Sequence, residues 1–408
     1  MKYKFILGIA CFIFYLTIAC STSYEDKYLD TDKLMEIALT KYHRTLTNLK
    51  DTPLLPRAIP PGEKQWITTD IYSWTSGFFP GILWFFYNYT GSQQWHDAAR
   101  KWTLYLDPVK KMRKKNHDLG FMVYNSFGKG YHLTGDLYFR QVLMEVADSI
   151  SSLYNPNVGT MISWPGGNKE LGTSHNTIID NMMNLELLFW AANHFNNTRY
   201  YHIAVSHANT TLQNHFKNDG FAYHVVLYDS ITGDFIDGTT YQGFNKNSSW
   251  SRGQAWAIYG FSMVYRETGK IKFLEQAEDL ATLFINNLPP DHVPYWDFQA
   301  PGIPDEPRDV SAAAIAASAF IELSGLTKNP QMKTLLHDEA LKILRSLTKN
   351  YMAPDEVDAL LLHSVGSKPH NSEVNYALIY ADYYFIEALL REKKWQENHS
   401  PRANKEGL

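Results

Sequence analysis

The sequence contains almost no cysteine, and this shortage excludes two ways of stabilising a protein. Its 408 residues include only Cys11 and Cys20. Cys11 lies in an N-terminal apolar stretch that we predict to be removed as a signal, so the mature chain has no thiol pair. A disulfide framework and a cysteine metal site are therefore excluded. We expect the stability to come from a large apolar core.

Patterns that bind metals, phosphates or nucleic acids are also lacking. The 15 histidines show no His-Glu-x-x-His or comparable spacing. Gly-Lys-Ser phosphate loops, the Gly-x-Gly-x-x-Gly fingerprint and the Gly-x-Ser-x-Gly nucleophile motif are missing. The formal net charge is −4, with no long basic run. We therefore expect no metal, no cofactor and no nucleic-acid partner.

The first twenty residues indicate export. Two lysines precede an apolar stretch over residues 5–18, which is shorter than the roughly 20 residues of a membrane-spanning helix. This order predicts a signal peptide over residues 1–20. The segment Leu-Thr-Ile-Ala-Cys that ends at Cys20 is similar to the lipobox of bacterial lipoproteins. We expect a lipid anchor at Cys20, in the periplasm or at the outer membrane of a Gram-negative bacterium, with plain secretion as the alternative.

The rest of the chain repeats one helical unit. An apolar, aromatic-rich helix is followed by a short polar turn and then by an amphipathic helix. The predicted pairs are 78–89 with 95–106, 119–133 with 137–153, 181–195 with 200–216, 253–266 with 273–285, and 311–323 with 332–351. A helix at each end of the chain, 33–49 and 373–392, completes a sixth pair.

Repeats of this kind bury a core only when they stack, and complementary terminal helices favour closure. We predict an all-α fold, a single (α/α)6 barrel over residues 31–394, as a monomer or weak homodimer. Residues 21–30 are expected to be a linker and residues 395–408 a polar tail. The inner helices then run in one direction, so the long loops gather at one rim, where function is expected. One of these loops contains a predicted β-hairpin over residues 221–236.

Aspartates precede several predicted inner helices at this rim. Asp118, Asp180 and Asp309 would each suit a simple helix cap. Two acids that face one cavity would instead suit acid/base chemistry on a sugar. The second interpretation gains weight from flanking residues that capping does not need, namely Trp74, His117, Trp250, Arg252 and Trp256.

An aspartate is a poor proton donor at neutral pH unless its surroundings raise its pKa. Its usual pKa of about 3.9 leaves it ionised at neutral pH, and a second carboxylate and partial desolvation would each raise that pKa. We therefore expect a mildly acidic pH optimum. Arg252 has two open interpretations, a structural ion pair or a bidentate grip on a substrate carboxylate.

Four motifs, in order, resemble the unsaturated glucuronyl hydrolases of glycoside hydrolase family 88. They are His117-Asp118-Leu119-Gly120-Phe121, Ile179-Asp180-Asn181-Met182-Met183-Asn184, Trp250-Ser251-Arg252-Gly253-Gln254-Ala255-Trp256, and Glu373-Val374 with Tyr380-Ala381-Asp382-Tyr383-Tyr384. The resemblance covers nearly all of the mature chain and implies an (α/α)6 barrel.

The resemblance also implies a reaction. Such enzymes remove the Δ4,5-unsaturated uronic acid that polysaccharide lyases leave at a non-reducing end, and they do so by hydrating its vinyl ether. Asp180 would donate a proton to C4 and activate the water that attacks C5. Asp118 would hold substrate hydroxyls and tune Asp180. The matching positions that would contact substrate are Trp74, His117, His224, Gln242, Arg252 and Trp256.

The substrate class is narrowed by two further features. Ser364, Ser367 and Lys368 resemble a Ser-x-x-Ser-x-Lys element of enzymes that accept sulfated sugars, but the lysine comes one position early, so a plain loop is the alternative. We expect glycosaminoglycan oligosaccharides of the heparin, chondroitin or hyaluronan type. An unsaturated rhamnogalacturonyl hydrolase is an alternative that Gln254-Ala255-Trp256 disfavours. A non-catalytic glycan-binding lipoprotein is the alternative outside enzymes.

Overall fold

The computed structural model describes residues 29–49, 52–112, 116–167, 172 and 175–399. The predicted signal peptide, Cys20, most of the predicted linker and residues 400–408 lie outside the described residues. Over the described ranges, no helix has the length and apolar character needed to cross a membrane.

Helices in two concentric layers form a closed ring over the described part of the chain. The outer helices are α1 (Thr31–Leu49), α3 (Gln93–Tyr105), α6 (Leu137–Ser151), α8 (Thr198–Asn214), α10 (Ile271–Asn286) and α12 (Pro330–Ser346). The inner ones are α2 (Phe78–Thr90), α4 (Leu119–Val123) with α5 (Lys129–Thr134), α7 (Asn181–Phe195), α9 (Ser251–Thr268), α11 (Val310–Leu326) and α13 (Ile379–His399). Each inner helix contacts the next, and α13 returns to α2. The predicted (α/α)6 barrel is confirmed.

Inner helices are apolar because they are covered on nearly every side. In α11, every residue from Val310 to Ile321 is buried. At one end of the barrel, which we call the turn end, residues in the left-handed region close the inner helices. Gly91 and Gly269 both have φ of 65°. Glycine adopts this conformation without steric cost, so the helix stops and the chain reverses there.

Short strands occupy the opposite end, which we call the pocket end. One sheet has the order β2-β1-β9-β8, formed by β1 (Leu55–Ile59), β2 (Ile67–Thr69), β8 (Ser364–Ser367) and β9 (Ser372–Leu378). A second has the order β5-β6-β7, formed by β5 (His175–Ile178), β6 (Val225–Tyr228) and β7 (Phe235–Thr239). The pair β3 (Tyr154–Asn155) and β4 (Thr160–Met161) completes this layer. The predicted hairpin within 221–236 is therefore present as β6 and β7, with β7 ending three residues later.

Beyond shifts of a few residues at helix ends, three features differ from the sequence predictions. The last inner helix was predicted to begin at Glu373, but this residue lies in β9, where Leu378 pairs with Ala58 of β1. Pairing with β8 around this residue, and with the distant β1 at the end of β9, overrides the local helical pattern there. The second inner helix is interrupted by a π-helical turn over Tyr124–Gly128. Helix α13 continues to His399, so residues 395–399 of the predicted tail are helical.

Candidate active site

A single pocket at the pocket end brings the two aspartates together. It has a volume of about 130 Å³ and is lined by Trp74, His117, Asp118, Trp164, Ile178, Asp180, Gln242 and Arg252. All of these except Trp164 and Ile178 were singled out from the sequence. The geometry thus joins residues that are more than 170 positions apart in the chain.

Helix capping explains one of the three rim aspartates and not the other two. Asp309 has an extended backbone, and its side chain accepts hydrogen bonds from the N–H groups of Ser311 and Ala312. This is the geometry of an N-cap. Asp118 and Asp180 already have helical backbone angles and make no capping hydrogen bond. Their side chains are therefore free to face the pocket.

Asn184 holds the two aspartate-bearing helices against each other. Its Oδ1 accepts the backbone N–H of Phe121 at 2.8 Å, while its Nδ2 donates to the carbonyl oxygen of Asp180 at 3.3 Å. This contact requires a glycine at position 120, because a Cβ there would overlap the Asn184 side chain. The motif residues around each aspartate thus bring α4 and α7 close together.

Burial is the largest cause of a raised pKa at both aspartates. It raises the pKa of Asp118 to about 7, although 17% of the side chain stays exposed to the pocket. It also raises the pKa of Asp180 to about 7, where nearby Arg252 acts in the opposite direction and Asp118 in the same direction. Each carboxyl is therefore about half protonated at neutral pH. The expected influence of a second carboxylate on Asp180 is present, but it is smaller than desolvation.

Two histidines accompany the aspartates. His117 Nε2 lies 2.9 Å from Asp118 Oδ1, without the alignment of a regular hydrogen bond. His224 Nε2 lies 4.0 Å from Asp180 Oδ1, and its side chain has no exposed surface. The structure therefore places His224 behind Asp180 and outside the pocket lining. Gln242 does line the pocket, and its Nε2 donates to the carbonyl oxygen of Gly366 at 2.9 Å.

Arg252 lies in the pocket wall but is held by the protein itself. Its Nη1 donates to Asp309 Oδ2 at 2.8 Å and also to the carbonyl oxygen of Val365. Its Nη2 donates to the carbonyl oxygen of Gly366 at 2.6 Å. Of the two sequence interpretations, this geometry is that of the structural ion pair. Both N–H groups of Nη1 and one of Nη2 are thus held by protein oxygens, so Arg252 is a fixed positive charge in the pocket wall, and a grip on a substrate carboxylate would have to use Nε and the remaining N–H of Nη2.

Trp256 also departs from its expected position. Its side chain is 1% exposed, and its ring packs against the rings of Phe121 and Tyr384, each with centroids 5.3 Å apart. It therefore supports the pocket from beneath and does not present a face to a ligand. Trp164, which the sequence analysis missed, lines the pocket together with Trp74. Its signal was a tryptophan beside Pro165, Gly166 and Gly167 in a long rim loop.

Ser364, Ser367 and Lys368 lie on the β8–β9 hairpin rather than in a plain loop. Ser364 Oγ is fully buried and has no hydrogen-bond partner among the described residues. Ser367 Oγ lies 2.7 Å from His370 Nδ1, and Lys368 is in the turn between the strands. The pocket lining includes none of the three. A sulfate contact from Ser364 would require the hairpin to rearrange.

The side chains that line the pocket suit proton transfer and sugar binding. Within the described ranges, no three histidine, cysteine, aspartate or glutamate side chains converge as a metal ion would need. What the pocket offers is a pair of half-protonated acids, a nearby fixed positive charge and two tryptophans. Acids of this kind donate and accept protons at neutral pH, and tryptophans pack on the apolar faces of sugar rings.

The closed ring of helical pairs and this acid pair define an (α/α)6-barrel glycosidase. The model of Glycosyl Hydrolase Family 88 matches residues 60–388, and the chain belongs to this family. The resemblance seen in the four motifs is confirmed.

Named relatives agree with this assignment. An unsaturated glucuronyl hydrolase of Formosa agariphila is 45% identical over 326 residues, which cover 78% of this chain and 80% of the relative. An unsaturated chondroitin disaccharide hydrolase of Streptococcus pneumoniae is 34% identical over 334 residues, covering 80% and 83%. The crystal structure of an unsaturated glucuronyl hydrolase specific for heparin superposes with a TM-score of 0.84 at 37% identity, covering 90% of this chain and 98% of that one.

Proposed function

We propose that this glycosidase removes Δ4,5-unsaturated glucuronic acid from the non-reducing end of glycosaminoglycan oligosaccharides produced by lyases. The observation that carries the proposal is the pair Asp118 and Asp180, each with a pKa of about 7, in one pocket of about 130 Å³. Pockets for drug-sized ligands measure roughly 300–1,000 Å³, so this smaller pocket suits a single terminal sugar ring. The relatives named above support the substrate class.

The proposed reaction uses Asp180 as both acid and base. Its carboxyl proton is transferred to C4 of the vinyl ether, and the C4–C5 double bond becomes a C4–H bond with positive charge shared by C5 and the ring oxygen. Water then attacks C5 while the carboxylate of Asp180 takes a proton from it. The hemiketal at C5 opens to a ketone, which leaves C1 as a hemiacetal. The C1–O bond to the remaining sugar then breaks, C1 becomes an aldehyde, and the hydroxyl proton of the hemiacetal passes to the departing oxygen.

The other pocket residues hold the ring in place. Asp118 hydrogen-bonds sugar hydroxyls, and Trp74 and Trp164 pack on the ring. Arg252 lies in the wall with its charge partly balanced by Asp309. A fixed positive charge beside the pocket favours a uronate over a neutral sugar.

Loss of the ultraviolet absorbance of the conjugated double bond tests this proposal. The panel would contain sulfated and unsulfated unsaturated disaccharides of the heparin, chondroitin and hyaluronan types, with an unsaturated rhamnogalacturonide for comparison. We expect turnover of at least one glycosaminoglycan disaccharide and none with Asp180→Asn. Turnover of the rhamnogalacturonide alone, or of nothing in the panel, would contradict the proposal.

We also propose that the enzyme is lipid-anchored at Cys20 in the periplasm or at the outer membrane, as a monomer or weak homodimer. The described chain begins at the turn end, because Gln396 near the end of α13 donates to the carbonyl oxygen of Leu29 at 3.1 Å. Helix α13 starts at Ile379 near the pocket, so Leu29 lies roughly 25 Å from it at 1.5 Å rise per residue. A lipid at Cys20, nine residues before Leu29, would therefore be joined to the enzyme at its turn end and not at its pocket end.

Metabolic labelling with a fatty acid tests the anchor. We expect the wild-type enzyme to carry the label and to be found in the membrane fraction. The Cys20→Ala variant should be unlabelled and active in the soluble fraction. Unlabelled wild-type enzyme in the soluble fraction would favour plain secretion.

A further inference from the structure

We propose that two buried histidines, fixed by the backbone in opposite tautomers, give the two aspartates different roles. His224 presents an Nε2–H donor to Asp180, and His117 presents an Nε2 lone pair to Asp118. His224 is then a positioning residue that acts through Asp180 and does not touch substrate. The inference rests on the proposed function, since it assigns the acid/base role within that site.

The tautomer of His224 follows from its other nitrogen. The backbone N–H groups of Tyr241 and Gln242 both donate to His224 Nδ1, each at 3.1 Å. A nitrogen that accepts two hydrogen bonds carries no proton, so the neutral ring carries its proton on Nε2. This Nε2–H is buried without a hydrogen-bond partner among the described residues, and so is Asp180 Oδ1, which lies 4.0 Å away. A closure of about 1 Å would join them, as catalytic hydrogen bonds do when substrate binds.

The tautomer of His117 is the opposite. Its Nδ1 lies 3.4 Å from the carbonyl oxygen of Ser163, which can only accept, so Nδ1 carries the proton. Ser163 is itself fixed, because its Oγ donates to Asn181 Oδ1 and accepts the backbone N–H of Ile178. The lone pair on His117 Nε2 therefore faces Asp118 Oδ1 at 2.9 Å. A proton on Asp118 Oδ1 would give this lone pair, which has no hydrogen-bond partner among the described residues, a donor at that separation.

Burial decides which of the two groups carries that proton. Burial lowers the pKa of His117 to about 3, so the shared proton belongs to Asp118 below its own pKa of about 7. Burial first, and then the charges of Arg252, His215 and His117, lower the pKa of His224 well below its usual value, so its ring stays neutral. Arg252 and Asp118 are the other charged groups that act on Asp180.

The two histidines thus favour different charge states of the two aspartates. A donor that faces Asp180 stabilises the carboxylate formed when its proton moves to C4. An acceptor that faces Asp118 stabilises its neutral form, so Asp118 remains a carboxylic acid during the reaction. Asp180 Oδ1 is buried and faces His224, which leaves Oδ2 as the oxygen for the reacting carbon. A pair of similar acids thereby becomes one acid/base and one hydrogen-bonding group.

Two substitutions of His224 separate its contact with Asp180 from its support of the backbone. His224→Asn keeps an acceptor at the Nδ1 position for Tyr241 and Gln242 but has no atom that reaches Asp180. His224→Gln restores a donor near the Nε2 position but removes that acceptor. We expect His224→Asn to keep its unfolding temperature, to lose roughly tenfold in kcat, and to move the alkaline limb of its pH profile upward by about one unit. In His224→Gln, the alkaline limb should stay at the wild-type pH, but the protein should unfold at a lower temperature.

An unmoved limb in a normally stable His224→Asn variant would overturn the inference for His224. The proposed function fails in a different way, since wild-type enzyme would then turn over no unsaturated disaccharide. Equal kcat losses in both variants without any shift of the limb would reduce His224 to a structural role.

His117 is tested in an Asp180→Asn background, where Asp118 is the only carboxyl among the described residues that line the pocket. Infrared difference spectra follow the carbonyl band of its protonated carboxyl as the pH rises. We expect His117→Asn, which keeps the donor to Ser163 but lacks the lone pair, to lose this band at lower pH than the parent. His117→Gln, whose Oε1 accepts near the Nε2 position, should restore the parent titration. Identical titrations in all three proteins would overturn the inference for His117.

Discussion

Asn184 Oδ1 accepts the backbone N–H of Phe121 at 2.8 Å, and this hydrogen bond joins the helices that carry the two pocket aspartates. Phe121 follows Gly120, whose missing side chain allows the approach. The distance between α4 and α7 therefore depends on one glycine and one asparagine, and this dependence can be tested.

Replacement of Gly120 by alanine should destabilise the protein and disturb the site together. The added Cβ would overlap the Asn184 side chain. Overpacking of this kind costs about 1–3 kcal/mol, and we expect activity to fall further than stability explains. Gly325→Ala is the matched control, because nothing lies within 4 Å of a Cβ there. Chemical denaturation and steady-state kinetics of both variants measure the difference; equal effects would contradict this account of Gly120.

Asp180→Asn should abolish turnover while leaving binding largely intact. The amide neither donates a proton to C4 nor accepts one from water, so we expect kcat to fall by roughly 10³-fold or more. Asp118→Asn should mainly raise KM, because Asp118 binds sugar hydroxyls. Its kcat should fall much less than that of Asp180→Asn, because Asp118 transfers no proton to the substrate. Asp234→Asn, on the exposed tip of the β6–β7 hairpin, serves as the control with unchanged kinetics. A kcat above a tenth of the wild-type value in Asp180→Asn would exclude it as the acid.

The activity should decline as the pH rises through about 7. Proton donation needs the neutral form of Asp180, whose pKa is raised to about 7. Below that value the acid is available, and above it the carboxylate predominates. A pH profile of kcat/KM locates this limb in the free enzyme. A limb near the ordinary pKa of an aspartate would show that burial does not raise the pKa of Asp180.

Removal of the pocket carboxylates should stabilise the protein at alkaline pH. The pKa of Asp180 is raised from 3.8 to about 7 on folding, so ionisation disfavours the folded state. The penalty is absent below the unfolded pKa, grows between the two values and is complete above the folded one. At 1.36 kcal/mol per unit, Asp180→Asn would gain at most about 4 kcal/mol at alkaline pH. Thermal unfolding at acid and alkaline pH compares the variants; an equal gain at both would contradict this linkage.

Asp309→Asn should have the opposite effect. This aspartate caps α11 and pairs with the buried guanidinium of Arg252 at 2.8 Å. Removing one partner of a buried pair costs about 3–5 kcal/mol because the other charge is left uncompensated. We expect a lower unfolding temperature at neutral pH, measured beside Asp118→Asn, which should show an increase. If the unfolding temperature changed in the same direction in both variants, the two aspartates would not differ as the structure indicates.

The sequence by itself determined the helical pairs, the ring they form, and the two aspartates of the pocket. These features are local: helical periodicity, the turns at Gly91 and Gly269, and short motifs before inner helices all act over a few residues.

The tertiary structure decided what depends on distant partners. Glu373 belongs to a strand because β9 pairs with β8 around it and, at its far end, with β1 more than 300 positions earlier. Asp309 is a cap and an ion-pair partner, whereas Asp118 is neither, although all three rim aspartates look alike in the chain. Trp256 is buried and Trp164 is not, since exposure of a ring depends on what the fold stacks upon it. A residue's surroundings set its pKa and its hydrogen bonds, and those surroundings exist only once the ring has closed.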